Sequence, residues 1–188
     1  MPTSDDISPS LLFTLAFAAA LLLGLALKFW LATRQVRHVA RHRAAVPVPF
    51  AERIALAAHQ KAADYTITKA RLGMLEMALG AAVLLGWTLL GGLDALNQAL
   101  LGVLGGGMWQ QMAFLVAFAA ISGLIDLPLS LYQTFVVEER FGFNKMTWRL
   151  WLADALKGLL VGAIIGLPIA ALILWPVSYT HLTLPTKA

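Results

Sequence analysis

The chain has 188 residues, 60% of them hydrophobic and 13% charged, with no cysteine, a formal net charge of +4 and a mean hydropathy of +0.77. A soluble domain is nearer half apolar and a quarter charged, so most of this chain has lipid as its solvent. The missing thiols exclude disulfides, thiol catalysis and Cys-ligated zinc, and the basic excess is expected to set membrane topology rather than to bind nucleic acid.

Met1–Pro9 is polar, with Asp5 and Asp6 but no Lys or Arg, and residues 1–10 are read as a polar N-terminus. An apolar run follows, ending at Lys28, Phe29 and Trp30. A signal peptide carries its positive charge before the apolar run. Here the charge comes after, which predicts a retained span over about Leu11–Leu31 with Lys28 snorkelling and Trp30 at headgroup level. Residues 34–71 hold eight basic side chains against Glu52 and Asp64. Val46-Pro47-Val48-Pro49 breaks this segment, because proline disfavours helix in the residue before it. Beyond the break, Phe50, Ile54, Ala57, Ala58, Ala62 and Tyr65 recur at helical spacing, predicting a basic interfacial helix that leads into the next span.

That second span is expected over Leu72–Leu90, ending at Gly91-Gly92. Asp94–Gly107 reads as a short connection without basic residues, flexible at Gly105–Gly107. A third span is expected over Trp109–Leu131 and a fourth over Leu159–Trp175. The fold class is therefore all-α, a polytopic membrane bundle of about four transmembrane helices occupying residues 11–175. Basic residues cluster in 34–71 and again at Arg140, Lys145, Arg149 and Lys157. The positive-inside rule then places the N-terminus and Asp94–Gly107 outside and the two basic connections inside. Residues 176–188 turn Ser/Thr/Pro-rich and are expected to be a non-native or disordered tail.

Several groups carry chemistry. His38 and His42 share a helical face, a spacing that can ligate zinc. Arg37, Arg41 and Arg43 crowd them, so a solvated basic surface is the expected reading. Glu76 and Asp126 lie within apolar segments, where an ionisable group marks a functional site by default. Gly158, Gly162 and Gly166 form two overlapping G-x-x-x-G repeats, a pattern that lets helices approach closely. The greatest mixture of chemical types lies in Leu127–Thr147, LPLSLYQTFVVEERFGFNKMT. Within it, Glu138, Glu139, Arg140, Phe141, Gly142, Phe143, Asn144 and Lys145 read as a docking loop. Phe141 and Phe143 would be its aromatic anchors on either side of a Gly that lets the backbone turn, and Asn144 would lead the chain into a helix at Thr147.

The same stretch carries a resemblance. Glu138–Thr147 resembles the E-E-x-F-G-F-N-x-x-T loop of the type I CAAX prenyl endopeptidases. His59-Gln60-Lys61-Ala62-Ala63-Asp64-Tyr65 is similar to a segment that precedes that family's second span, and Leu127–Tyr132 and Asp154–Gly158 match in order and spacing. The resemblance covers about residues 34–175. It implies the N-terminal membrane half of an integral-membrane zinc metallopeptidase whose helices help wall an intramembrane chamber. Such enzymes hold zinc with an H-E-x-x-H helix and a downstream Glu, and they cleave near the C-terminus of prenylated proteins. This sequence contains no H-E-x-x-H. No catalytic or metal residue is carried over, no cofactor is expected in this chain, and it is expected to be inactive alone. Its implied partners are the bilayer, a catalytic domain beyond this sequence and, for the whole enzyme, a peptide or membrane-protein substrate. Its expected location is a bacterial inner membrane. Two other classes fit the spans: a small transporter or channel subunit, motivated by Glu76, Asp126, Pro128 and Pro168, and a non-catalytic scaffold that packs through its glycines.

Overall fold

A computed structural model describes residues 8–180, and their side chains as far as residue 175. The described residues form five α-helices and no strand: α1 (Pro9–His42), α2 (Leu56–Thr88), α3 (Gly92–Leu104), α4 (Met108–Tyr132) and α5 (Trp148–Thr180). A 3₁₀ turn occupies Val48–Phe50, and α4 continues with π geometry over Gln133–Glu138. Among the described residues, four helices are long and apolar enough to cross a bilayer: Pro9–His42, Leu56–Thr88, Met108–Glu138 and Trp148–Trp175. Two compact units are present. Of the described residues, 8–90 together with Arg140–Gly142 form the first, and Gly91–Glu139 with 143–180 form the second.

In the first unit, α1 starts where the sequence supplies a cap. The Ser8 hydroxyl accepts from the Leu11 N–H at 3.3 Å, and Pro9 takes the first helical position, where its missing N–H costs nothing. The helix runs without a break from the apolar span into the basic residues, reaching His42. The helix stops at His42, short of Val46, whose place before Pro47 disfavours helix, and the 3₁₀ turn that follows takes Pro49 within its first turn. The basic helix expected after the break is the first part of α2, continuous with the span. α1 and α2 pack against each other, with Ala63 and Leu72 buried.

The second unit corrects one expectation. Asp94–Gly107 is largely a helix, α3, rather than a plain connection. Leu93, Leu96, Asn97, Leu100 and Leu101 are half-buried, the i, i+3/4, i+7/8 stripe of an amphipathic helix lying on α4. At 13 residues α3 is roughly 20 Å long, short of a 30 Å span. Buried Gln110 donates from its side-chain amide to Asn97 Oδ1 at 2.7 Å, tying α3 to α4. Gly91 (φ +79°), Gly105 (φ +68°) and Gly107 (φ +119°) flank α3 in a region that L side chains rarely adopt.

α5 begins earlier than its apolar run, at Trp148, because Thr147 caps it: the Leu150 N–H donates to the Thr147 hydroxyl at 3.2 Å. It continues to Thr180, past the expected end at Trp175, and residues 181–188 of the tail lie outside the described residues, as do residues 1–7 of the polar N-terminus. Leu159, Ile164, Leu172 and Ile173 on α5 are each more than 60% exposed within this chain. Apolar surface of this kind all round a helix belongs against lipid or other membrane helices.

Candidate functional site

The mixed stretch around Glu138–Lys145 is where the structure concentrates its polar geometry. In the second unit, the Phe143 and Asn144 N–H groups both donate to the Glu138 carbonyl, at 2.9 and 3.2 Å, closing a tight turn at the end of the π segment. Asn144 directs the exit. Its side-chain amide donates to Glu139 at 3.1 Å, and its oxygen accepts from the Met146 N–H at 2.7 Å. That Asx turn leads to the Thr147 cap, as the sequence suggested. Phe135 stacks on Trp148 at 3.9 Å between centroids, and Trp148 meets Trp151 edge-on at 6.3 Å. A concavity of about 470 Å³ lies beside this ladder, lined by Gln133, Glu138, Phe143, Lys145 and Met146 among others. Phe143 is 56% exposed and Val137 is buried.

Phe141 requires a correction. It is not an exposed anchor: it is 7% exposed, and in the first unit its ring meets Tyr65 edge-on at 5.2 Å. Gly142 (φ +75°) makes the reversal possible, so that adjacent aromatics can have opposite fates.

The first unit also gives functions to the matched segment His59–Tyr65. Asp64 accepts a two-pronged contact from Arg43, Nε to Oδ1 at 2.7 Å and Nη2 to Oδ2 at 2.8 Å. The fork joins α2 to the end of α1 with defined geometry. The hydrogen bond to Asp64, and then the charge of that carboxylate, raise the Arg43 guanidinium above its ordinary pKa. Both side chains are 43% exposed, so the pair fixes geometry more than it adds stability. His59 Nε2 donates to the His42 carbonyl at 3.0 Å, and His42 Nδ1 to the His38 carbonyl at 2.8 Å. The His59 imidazole thus satisfies a carbonyl that the end of α1 leaves unpaired. Charge pattern alone makes Asp64 a counter-charge and assigns His59 no contact. The available signal was that His59, Asp64 and Tyr65 occupy positions of the matched motif.

The remaining candidates stand apart. Glu76 and Asp126 are exposed on their helices, and neither makes an ion pair among the described residues. The rings of His38 and His42 lie 4.3 Å apart, but no group of three His, Asp or Glu among the described residues could hold a metal ion. A Cβ at Gly158, Gly162 or Gly166 would meet nothing within 4 Å. Gly162 and Gly166 instead line an apolar groove of about 550 Å³ between α4 and α5, so the close approach that the repeat permits is not used within the second unit.

Comparison with known proteins places this geometry. A family profile described as CAAX prenyl protease N-terminal, five membrane helices, matches residues 35–184. The match begins within α1, beyond its apolar run, and includes the short α3. CAAX prenyl protease 1 of Saccharomyces cerevisiae is 49% identical over 65 residues, 35% of this chain and 14% of the yeast protein. The CAAX prenyl protease 1 homolog of Oryza sativa subsp. japonica is 41% identical over 83 residues, 44% of this chain and 17% of that protein. The crystal structure of S. mikatae Ste24p superposes with a TM-score of 0.76 and 28% identity, covering 85% of this chain and 38% of that one. This chain thus spans well under half the length of that relative. With four-fifths of its residues inside the family match, the chain belongs to the CAAX prenyl protease N-terminal family and carries that family's membrane domain.

Proposed function

We propose that this chain is the membrane part of a zinc metalloendopeptidase, and that the turn at Glu138–Lys145 docks the part bearing the H-E-x-x-H motif. The observation that carries the docking reading is Phe143, an exposed aromatic beside a concavity on a turn fixed by three hydrogen bonds. Glu138, Glu139 and Lys145 supply a polar rim. The described residues do not fit a zinc site, so the metal and the hydrolytic step belong to the partner segment. The relatives' name supports a prenylated C-terminal peptide as the substrate of the whole enzyme.

Two measurements test this reading. The purified chain alone should retain no stoichiometric zinc and cleave no peptide; one equivalent lost on mutating His38 and His42 would overturn it. A fusion of residues 1–175 to the H-E-x-x-H half of a relative should cleave a prenylated peptide. In that fusion Phe143→Ala should weaken docking by about 2 kcal/mol and lower activity, whereas Gln98→Ala on exposed α3 should not. Equal activities would reduce the turn to a linker.

The orientation belongs to the same proposal: N-terminus and α3 outside, residues 34–71 and 136–157 inside, in a bacterial inner membrane. The asymmetry of basic residues supports the topology, and the Ala-, Leu-, Gly- and Arg-rich composition supports the source. The chain has no cysteine, so Ala44→Cys and Ala99→Cys report cleanly. A membrane-impermeant thiol reagent should label position 99 in intact cells and spare 44, and the reverse pattern would refute the orientation.

A further inference from the structure

α1 carries a second polar surface, unrelated to the docking turn. Trp30, Thr33, Arg34, Arg37, His38 and Arg41 line one groove of about 540 Å³ along the helix. The opposite stripe, Ala32, Val36, Val39 and Arg43, is half-buried, while Trp30, Arg34, Arg37 and Arg41 are exposed. Asp64 already engages Arg43. Among the described residues no carboxylate pairs with Arg34, Arg37 or Arg41. Arg34 instead lies over the Trp30 ring, 5.6 Å from its centroid.

The position of this groove along the helix selects its ligand. The apolar run ends near Lys28, and Trp30 marks the headgroup boundary. At 1.5 Å per residue, Arg34 and Arg37 lie about 6 and 10 Å beyond Trp30, within or just past the headgroup layer. Guanidinium forks match phosphate oxygens, and basic side chains next to a span attract anionic lipid. A lipid held here would lay its acyl chains along Leu22, Leu23 and Leu27, all exposed on α1.

We infer that the Trp30–Arg41 face of α1 is a binding site for an anionic phospholipid, whose phosphodiester is gripped by Arg34 and Arg37. Arg41 and His38 form its outer, water-facing end, and the Trp30 ring holds Arg34 ready.

The test uses the full chain in neutral detergent, with fluorescent phosphatidylglycerol and phosphatidylcholine as probes. Wild type should prefer phosphatidylglycerol by about tenfold or more, and high salt should reduce the preference. Arg34→Gln with Arg37→Gln should abolish it, while the charge-matched Arg149→Gln with Lys157→Gln should retain it. Should the first double variant lose its helical circular dichroism, Arg34→Lys with Arg37→Lys decides: it keeps the charge, loses the fork, and should lower the preference several-fold. Excess glycerol phosphate should not displace the lipid. Equal binding of the two lipids, equal loss in the Arg149/Lys157 variant, an undiminished preference in the Lys variant, or displacement by free glycerol phosphate would each overturn the site.

Discussion

Phe141→Ala is expected to destabilise the folded chain by about 3 kcal/mol, the low end for a buried Phe, which is roughly a hundredfold shift in the folding equilibrium. Phe143→Ala, two residues away, should change it by less than about 0.5 kcal/mol, as exposed substitutions do. The contrast rests on burial: Phe141 is 7% exposed against Tyr65, and Phe143 is 56% exposed. The size of the effect depends on the solvent outside. Among lipid-facing residues, truncating an apolar side chain forfeits packing alone, because the acyl chains are as apolar as the side chain. Phe141 packs on Tyr65, which follows Asp64 in the polar first part of α2, and the Arg140 guanidinium lies 5.9 Å from its ring centroid. There the alternative to burial is water, and the full transfer free energy applies. Reversible unfolding of the purified variants in a mixed detergent measures both. Equal stabilities would mean that the Tyr65 contact contributes nothing and that the burial of Phe141 is incidental.

Gly142→Val should cost about 2 kcal/mol, since an L residue in left-handed backbone loses 1–2 kcal/mol and a β-branched one fares worse. Space is not the obstacle: the nearest atom to a Cβ built there is Lys61 Nζ, at 3.8 Å, an ordinary contact. The penalty is therefore in the backbone, whose φ of +75° reverses the chain between a buried Phe141 and an exposed Phe143. Asn tolerates this conformation better than other side chains of its size, so Gly142→Asn should cost well under half as much. The same unfolding measurement separates the two. If Asn and Val are equally damaging, crowding rather than backbone geometry governs the position. In the fusion enzyme the Val variant should also lower activity beyond its stability loss, because the turn that presents Phe143 is re-aimed.

Much of the architecture was legible from residues alone, because the bilayer allows so few solutions. Long apolar runs must be helices when no water is present to satisfy backbone groups, so Leu11–Leu31, Trp109–Leu131 and Leu159–Trp175 each fall within a helix of the structure, and Leu72–Leu90 overruns the end of α2 at Thr88 by two residues. Local chemistry was equally readable. The Val46–Pro49 break and the Asn144 turn act on their own neighbours, and each behaves as its residue type dictates. The motif around Glu138–Thr147 gave the family, whose match covers residues 35–184. What tertiary structure alone decided is the assignment of partners across sequence distance. Nothing in the sequence distinguishes Phe141 from Phe143, two aromatics beside one Gly; the choice of buried ring is made by Tyr65, seventy-six positions earlier. Asp64 could have paired with any of the basic side chains around it, and packing of α1 on α2 selects Arg43. Gly162 and Gly166 announce close helix approach, yet in the second unit they border an open groove, because a small residue permits contact without supplying the helix that makes it. α3 was missed because at 13 residues it is too short to span and sits between glycines that read as a loop, although its Leu stripe has helical spacing; it lies on α4 with Asn97 and Gln110 joined.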